Sequence, residues 1–152
     1  MSNQRFSPGD IESLTGWKAD ILRDLRNKGF LENYGIKGEN SRWTYDKHDL
    51  VAFWVAAEIQ KRMQAKGAVS LALAFAEARH ASAMLVGMML EGVGGRFKRF
   101  RASLVDANGR GQIITFQDLS DLSGYDFRSC EIKDWATYIE AMPDGIRSAV
   151  MA

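Results

Sequence analysis

The chain is poor in the residues that usually announce chemistry. It holds one cysteine, Cys130, two histidines, His48 and His80, and two prolines among 152 residues. A single thiol forms no internal disulfide, which suits a reducing, cytoplasmic setting. One cysteine and two distant histidines make no zinc site, so no metal and no other cofactor is expected. No serine, cysteine and histidine set suggests a nucleophile with its base, so no catalytic residues are expected and the chain is not read as an enzyme. No long apolar run is free of charge. The most apolar, Ser70 to Leu90, is broken by Glu77, Arg79 and His80, so a buried helix is expected there and no membrane contact. The opening MSNQRFSPGD has no apolar segment, and no secretory leader is expected. Charge of one sign is also lacking: the net charge is +1, with 11 Lys and Arg against 9 Asp and Glu in residues 1–66, and 9 against 10 beyond. Any contact with nucleic acid must therefore come from local placement of basic side chains.

What is present is a soluble globular composition, 46% hydrophobic and 26% charged, in a chain long enough for one ordinary domain or two small ones. Phe6-Ser7-Pro8-Gly9-Asp10-Ile11 is a dense helix start. Ser7 can cap, Pro8 suits the first helical position, Asp10 completes a capping box, and Phe6 with Ile11 forms a hydrophobic staple. This first helix should end near Thr15-Gly16, with Ile11 and Leu14 inward. A second helix should run from about Lys18 to Lys28 and stop at Gly29, with Phe30 packing back on Leu25. Its inward positions are read as Ile21, Leu22 and Leu25, with Trp17 at the entry. Lys18, Ala19, Asp20, Arg23, Asp24 and Asn27 point outward. Two short helices around a tight turn form a helix-turn-helix.

Leu31 to Tyr45 reads as a β-hairpin, or wing, on which Lys37, Asn40 and Arg42 suit phosphate contact. Asp46 and Asp49 start a third helix, expected to reach Lys66. Leu50 to Ala57 is apolar all round, so that helix should lie between the N-terminal domain and either the C-terminal half or a second subunit. A fourth helix is expected from Leu71 to about Glu91, capped by Ser70. Its apolar side chains can serve the monomer core or a dimer interface. Asn108-Gly109 between β-prone runs predicts a hairpin over about 98–116. A helical turn is expected within Gln117 to Leu122, and a last helix over about 131–142, stopped by Pro143. Arg96-Phe97-Lys98-Arg99-Phe100-Arg101 interleaves basic and aromatic residues as nucleic-acid surfaces do. The plainer reading, aromatics inward and charges outward, is preferred there.

Residues 6–67 resemble the winged-helix DNA-binding domain of MerR-family transcription regulators and related excisionase-like modules. The matching residues are Leu14-Thr15-Gly16, Leu22-Arg23, Gly29-Phe30-Leu31 and Tyr45-Asp46-Lys47-His48-Asp49-Leu50, and Gly67-Ala-Val-Ser70-Leu71 resembles the family's link into its next helix. Trp43 stands where the resemblance would place the wing arginine, with Arg42 one place earlier. The resemblance implies that the second helix reads the major groove and that the wing contacts backbone. Arg23 is then the helix arginine on DNA, and Tyr45 the wing aromatic. An exposed arginine in such a helix can bond phosphate or pair with guanine, and Asp20 could accept from cytosine.

The expected fold is thus mainly α (α+β): an N-terminal winged helix-turn-helix, 1–67, then a dimerisation or effector region, 68–152, of long helices with a small hairpin plus helix. The expected function is a sequence-specific DNA-binding transcriptional regulator, acting as a homodimer on double-stranded DNA, with a protein partner open to the C-terminal region. The DNA-binding residues expected are Lys18, Ala19, Asp20, Arg23, Asn27, Lys37, Arg42, Trp43 and Tyr45. The alternatives are an architectural or phage-type accessory protein, such as an excisionase or packaging subunit, or a winged-helix protein-interaction module.

Overall fold

The computed structural model describes residues 4–65, 70–92 and 95–152. They form a mainly helical α+β protein with two small sheets, divided into two compact units. One is Met1–Val86 with Pro143–Ala152; the other is Gly87–Met142. This division differs from the expected boundary at residue 67, because most of the long fourth helix and the C-terminal segment belong with the N-terminal elements.

In the first unit, helix α1 spans Pro8–Thr15. Its capping box is complete: Asp10 N–H donates to Ser7 Oγ (3.1 Å) and Ser7 N–H to Asp10 Oδ2 (2.8 Å). Helix α2 spans Ala19–Asn27. Gly29, at φ +83°, closes it in the left-handed conformation that favours glycine. Phe30 N–H then bonds Leu25 C=O (3.0 Å) and Gly29 N–H bonds Arg26 C=O (3.1 Å), the two bonds of a Schellman stop. Leu22 and Leu25 are buried, but Ile21, expected inward, is 43% exposed. In so short a helix the buried stripe is narrow, and at about 100° per residue Ile21 and Arg26 lie on its opposite flanks. The flank of Arg26 is the one that packs.

Strands β1 (Ile36–Lys37) and β2 (Trp43–Thr44) pair antiparallel. Tyr45 and Phe6 bridge through two 2.8 Å backbone bonds, so the N-terminal segment lies along the hairpin. Gly35 is required by a close approach: an added Cβ would sit 2.6 Å from the Tyr45 ring. Helix α3 (Lys47–Ala65) begins with reciprocal bonds between Asp46 and Asp49, at 2.8 and 3.0 Å. Leu50 to Ala56 are all buried. The partners of α3 lie within this unit: α1, Phe75 of helix α4 (Leu71–Glu91), and helix α6 (Asp144–Met151). The expected stop after Lys66 and the link 67–69 lie outside the described residues. One face of α4, including Ala74, Phe75, Ala78, Ala81 and Leu85, is buried within the chain, whereas Leu73 and Leu90 are about half exposed.

In the second unit, strands β3 (Phe100–Val105), β4 (Gly111–Phe116) and β5 (Ser129–Asp134) form an antiparallel sheet in the order β4-β3-β5. The expected hairpin is β3–β4, and a 3-10 turn follows at Leu119–Gly124. The first four residues of the expected helix over 131–142 are strand. Asp134 Oδ1 accepts from Ala136 N–H (3.1 Å), which starts helix α5 (Trp135–Ala141) only there. Residues 129–134 instead satisfy the free edge of β3. Pro143 does end α5, but it also opens α6, which was not expected. Ile146 and Val150 of α6 are fully buried, and Lys47 Nζ donates to Val150 C=O (3.0 Å).

Candidate functional site

A cleft of about 690 Å³ separates α2 from the β1–β2 hairpin. Ala19, Leu22, Arg23, Arg26 and Asn27 line it from α2; Ser41, Arg42, Trp43, Thr44 and Tyr45 from the hairpin; and Ser7 and Pro8 from the start of α1. Three arginines face it and, among the described residues, no carboxylate lines it.

Arg26 builds the cleft. Its guanidinium lies 3.5 Å from the Trp43 ring centroid, and donates to Leu31 C=O (2.8 Å), Tyr34 C=O (2.7 Å) and Tyr45 Oη (3.2 Å). One half-buried cation thus ties the end of α2 to the loop and to the hairpin. Stacking on a Trp face adds attraction to these bonds, and the planar fork suits them better than a lysine would. Arg5 braces the hairpin from outside, donating from Nε to Thr44 Oγ1 (3.1 Å) and from Nη2 to Thr44 C=O (2.8 Å). On the far side, Asp49 Oδ2 accepts from Gly35 N–H (3.1 Å). Asp49 Oδ1 accepts from Arg79 Nη1 (2.6 Å), which also donates to Asn33 C=O (2.9 Å). The hairpin is therefore held at its root from two directions. Burial raises the Asp49 carboxyl above the usual range, against the pull of the Asp46 amide and the Arg79 charge. Burial likewise pushes up the Tyr34 hydroxyl, which donates to Phe75 C=O (2.7 Å).

Of the expected site residues, Ala19, Arg23, Asn27, Arg42, Trp43 and Tyr45 share the cleft. Arg23, Asn27 and Arg42 are exposed, while Ala19 and Trp43 are half-buried. Lys18 caps α2 and Lys37 lies on β1; both are exposed but outside the cleft lining, as is Asp20. Asp20 Oδ1 accepts from Ile21 N–H (3.0 Å). Asp24 pairs with Lys28 at 2.9 Å, which reduces its repulsion of an anion. Tyr45 needs correction: at 2% exposure, edge-on to Phe53 (5.1 Å between centroids), its ring belongs to the core and offers almost no surface to DNA.

Arg26, Arg5 and the Asp49–Arg79 pair were missed by sequence reasoning. Nothing local marks Arg26, since its partners stand 5 to 19 residues away. The basic-aromatic run behaves as the plainer reading expects: Phe100 is buried, Arg96 pairs with Glu91, and Arg99 makes two bonds to Asp134 (3.0 and 2.9 Å). No group of three or more metal-binding side chains is present among the described residues, and no described helix is long and apolar enough to cross a membrane. Compared with known families and curated proteins, the chain matches no family model and no curated protein.

Proposed function

We propose that this protein is a sequence-specific duplex-DNA-binding regulator. In this reading α1, α2 and the hairpin are a winged helix-turn-helix of MerR-like type. Helix α2 enters the major groove and the hairpin lies on the flanking backbone. The observation that supports it is the cleft between α2 and the hairpin, faced by three arginines and, among the described residues, lined by no carboxylate. Phosphate contacts need such a basic face, not a basic protein. Arg26 keeps the two walls in register, and Arg23, Asn27, Arg42 and Lys37 remain exposed for contact.

Selection of bound duplexes from a random pool supplies the cognate site, and fluorescence anisotropy then reads affinity. Arg23→Ala should weaken cognate binding about tenfold to a hundredfold and random duplex less, as expected for loss of a base contact worth about 1–3 kcal/mol. Arg42→Ala should weaken both alike and flatten the dependence of affinity on salt. If Arg23→Ala binds cognate and random duplex as the wild type does, the assignment of α2 as the reading helix is wrong.

A further inference from the structure

Among the described residues no further strand pairs with either outer strand of the second unit's sheet, and the two edges are unlike. The β5 edge carries Glu131, Lys133 and Asp134, and Asp134 is already committed to Arg99 and to the start of α5. The β4 edge, Gly111-Gln-Ile-Ile-Thr-Phe116, has no charge and no proline. Sheet edges normally carry charges, prolines or bulges that block strand addition; β4 has none inside it.

The backbone bonds fix which groups β4 turns outward. Asp106 N–H bonds Arg110 C=O, and bonded pairs alternate from there. Leu104–Gln112, Ala102–Ile114 and Phe100–Phe116 are therefore the bonded pairs of β3 with β4. Trp135 N–H to Arg99 C=O sets the other side of β3, turning Arg101, Ser103 and Val105 toward β5. The two phases agree. The N–H and C=O of Gly111, Ile113 and Thr115 thus point away from the sheet. By register, the Ile113 side chain shares a face with Arg101, Ser103, Thr115, Glu131 and Lys133. On this polar face Ile113 is 60% exposed.

We infer that β4 is a dimerisation edge, pairing antiparallel with β4 of a second copy about a two-fold axis at Ile113 to give a six-stranded sheet. A two-fold axis normal to the sheet keeps each side chain on its own face, and outward backbone groups must meet outward groups. Centring on Ile113 meets both conditions: Ile113 faces its own counterpart, and each Gly111 faces the partner's Thr115. The exposed isoleucine is then covered by its symmetry mate. Opposite charges flank each strand, Arg110 before it and Asp118 after it, both exposed, with the Asp118 carboxylate also facing the Asp121 amide at the start of the 3-10 turn. Antiparallel pairing brings each Arg110 near the partner's Asp118, a diagonal within reach of long side chains. A second copy matches this pattern at both ends. This puts the dimer contact on β4, where α4 was one of two readings of its apolar side chains, and it does not depend on DNA binding.

Sedimentation equilibrium of the full chain, without DNA, tests it. The wild type should pass reversibly from 17.0 kDa to twice that mass as concentration rises. Ile113→Lys places two ammonium groups face to face and should raise the dissociation constant by about a hundredfold. Its far-UV circular dichroism should stay unchanged, and its melting should match the wild type at concentrations where both are monomeric, since the side chain faces water in the monomer. In a Cys130→Ser background, Ile113→Cys should form an intermolecular disulfide under mild oxidation, because directly opposed, bonded residues lie about 5.5 Å apart at Cα. Ser103→Cys, on the same face but on β3, should not. A wild type that stays monomeric, a dimer that survives Ile113→Lys, open-ended polymers, or equal cross-linking at the two positions would each overturn the inference.

Discussion

The two units bury their apolar side chains to different depths. In the helical unit, Phe53 is fully buried and sits edge-on or tilted against Tyr34, Tyr45 and Phe75, with centroids 5.0 to 6.2 Å away. Trp17 closes this cluster, its Nε1 donating to Phe53 C=O (2.8 Å). The sheet of the other unit has a thin core of Phe100, Ala102, Leu104 and Phe116, with Ile114, Leu122 and Cys130 at its margin, and the unit's other buried apolar residues, Met88, Trp135 and Met142, lie outside the strands. Ile113, Leu119, Tyr125, Phe127 and Ile132 there are each 40% exposed or more. A three-stranded sheet needs a second layer to bury its apolar face. A helix packed on several sides, such as α3, meets no such shortage.

That contrast is tested most severely by truncating one ring in each unit. Phe53→Ala should destabilise its unit by about 4 kcal/mol, within the range for buried aromatics, because the surrounding rings cannot collapse into the space. Phe100→Ala removes a ring that stacks on Phe116 at 5.4 Å and is 7% exposed; it should cost about 2–3 kcal/mol, since a thin core relaxes more readily. Urea denaturation followed by circular dichroism compares the two. Equal losses would remove the distinction between a deep core and a thin one.

The same contrast explains what could be read from residue order. The start of α1, the stop of α2, the start of α3 and the turn at Asn108-Gly109 depend on side chains within a few residues of each other. Each was legible from local residues: Ser7 with Asp10, Gly29, Asp46 with Asp49, and Asn108-Gly109. Choices made at long range were not. Ile21 and Arg26 lie on opposite flanks of α2, and Trp43 in the hairpin makes the Arg26 flank the packed one. Residues 131–134 fall within an apolar spacing compatible with a helix, Ile132 with Trp135, Ala136, Ile139 and Met142, and pairing with β3 makes them a strand. The signal for α6 was present in Pro143-Asp144 and in Ile146 with Val150, but a proline marks a helix start as well as a stop. The walls of the cleft were therefore foreseeable, whereas the guanidinium that joins them was not.

A smaller effect follows from the ion pair at the hairpin root. Asp49 is buried, with 7% of its side chain exposed, and Arg79 is its cationic partner. Arg79→Met should cost about 2–3 kcal/mol at neutral pH, less than for a fully buried pair because Arg79 retains 27% exposure. Without that charge, burial acts on Asp49 with less opposition and its carboxyl rises further above the usual range. A carboxyl raised in the folded state supports folding below its unfolded value and loses that support as pH climbs through the folded value. The deficit of Arg79→Met should therefore shrink on acidification, starting above the ordinary carboxylate range. A deficit that stays constant from neutral pH to that range would show that Asp49 is not the group left in difficulty.

The sheet unit offers the opposite case and the smallest effect. Two bonds from Arg99 hold the Asp134 carboxyl below its usual range, against a weaker push from burial, and the Ala136 amide adds to the depression. Both side chains are partly in water, so solvent screens the pair and little of the shift becomes stability. A lowered folded value places this stabilisation above the unfolded carboxylate range and removes it as pH falls through the folded value. Asp134→Asn should thus lose slightly in stability at neutral pH, keep that small deficit down to the ordinary carboxylate range, and match the wild type only below it. Melting curves of Asp134→Asn and Arg79→Met across this interval would place one transition above the usual carboxylate value and the other below. If both fell on the same side, burial would not be what separates the two ion pairs.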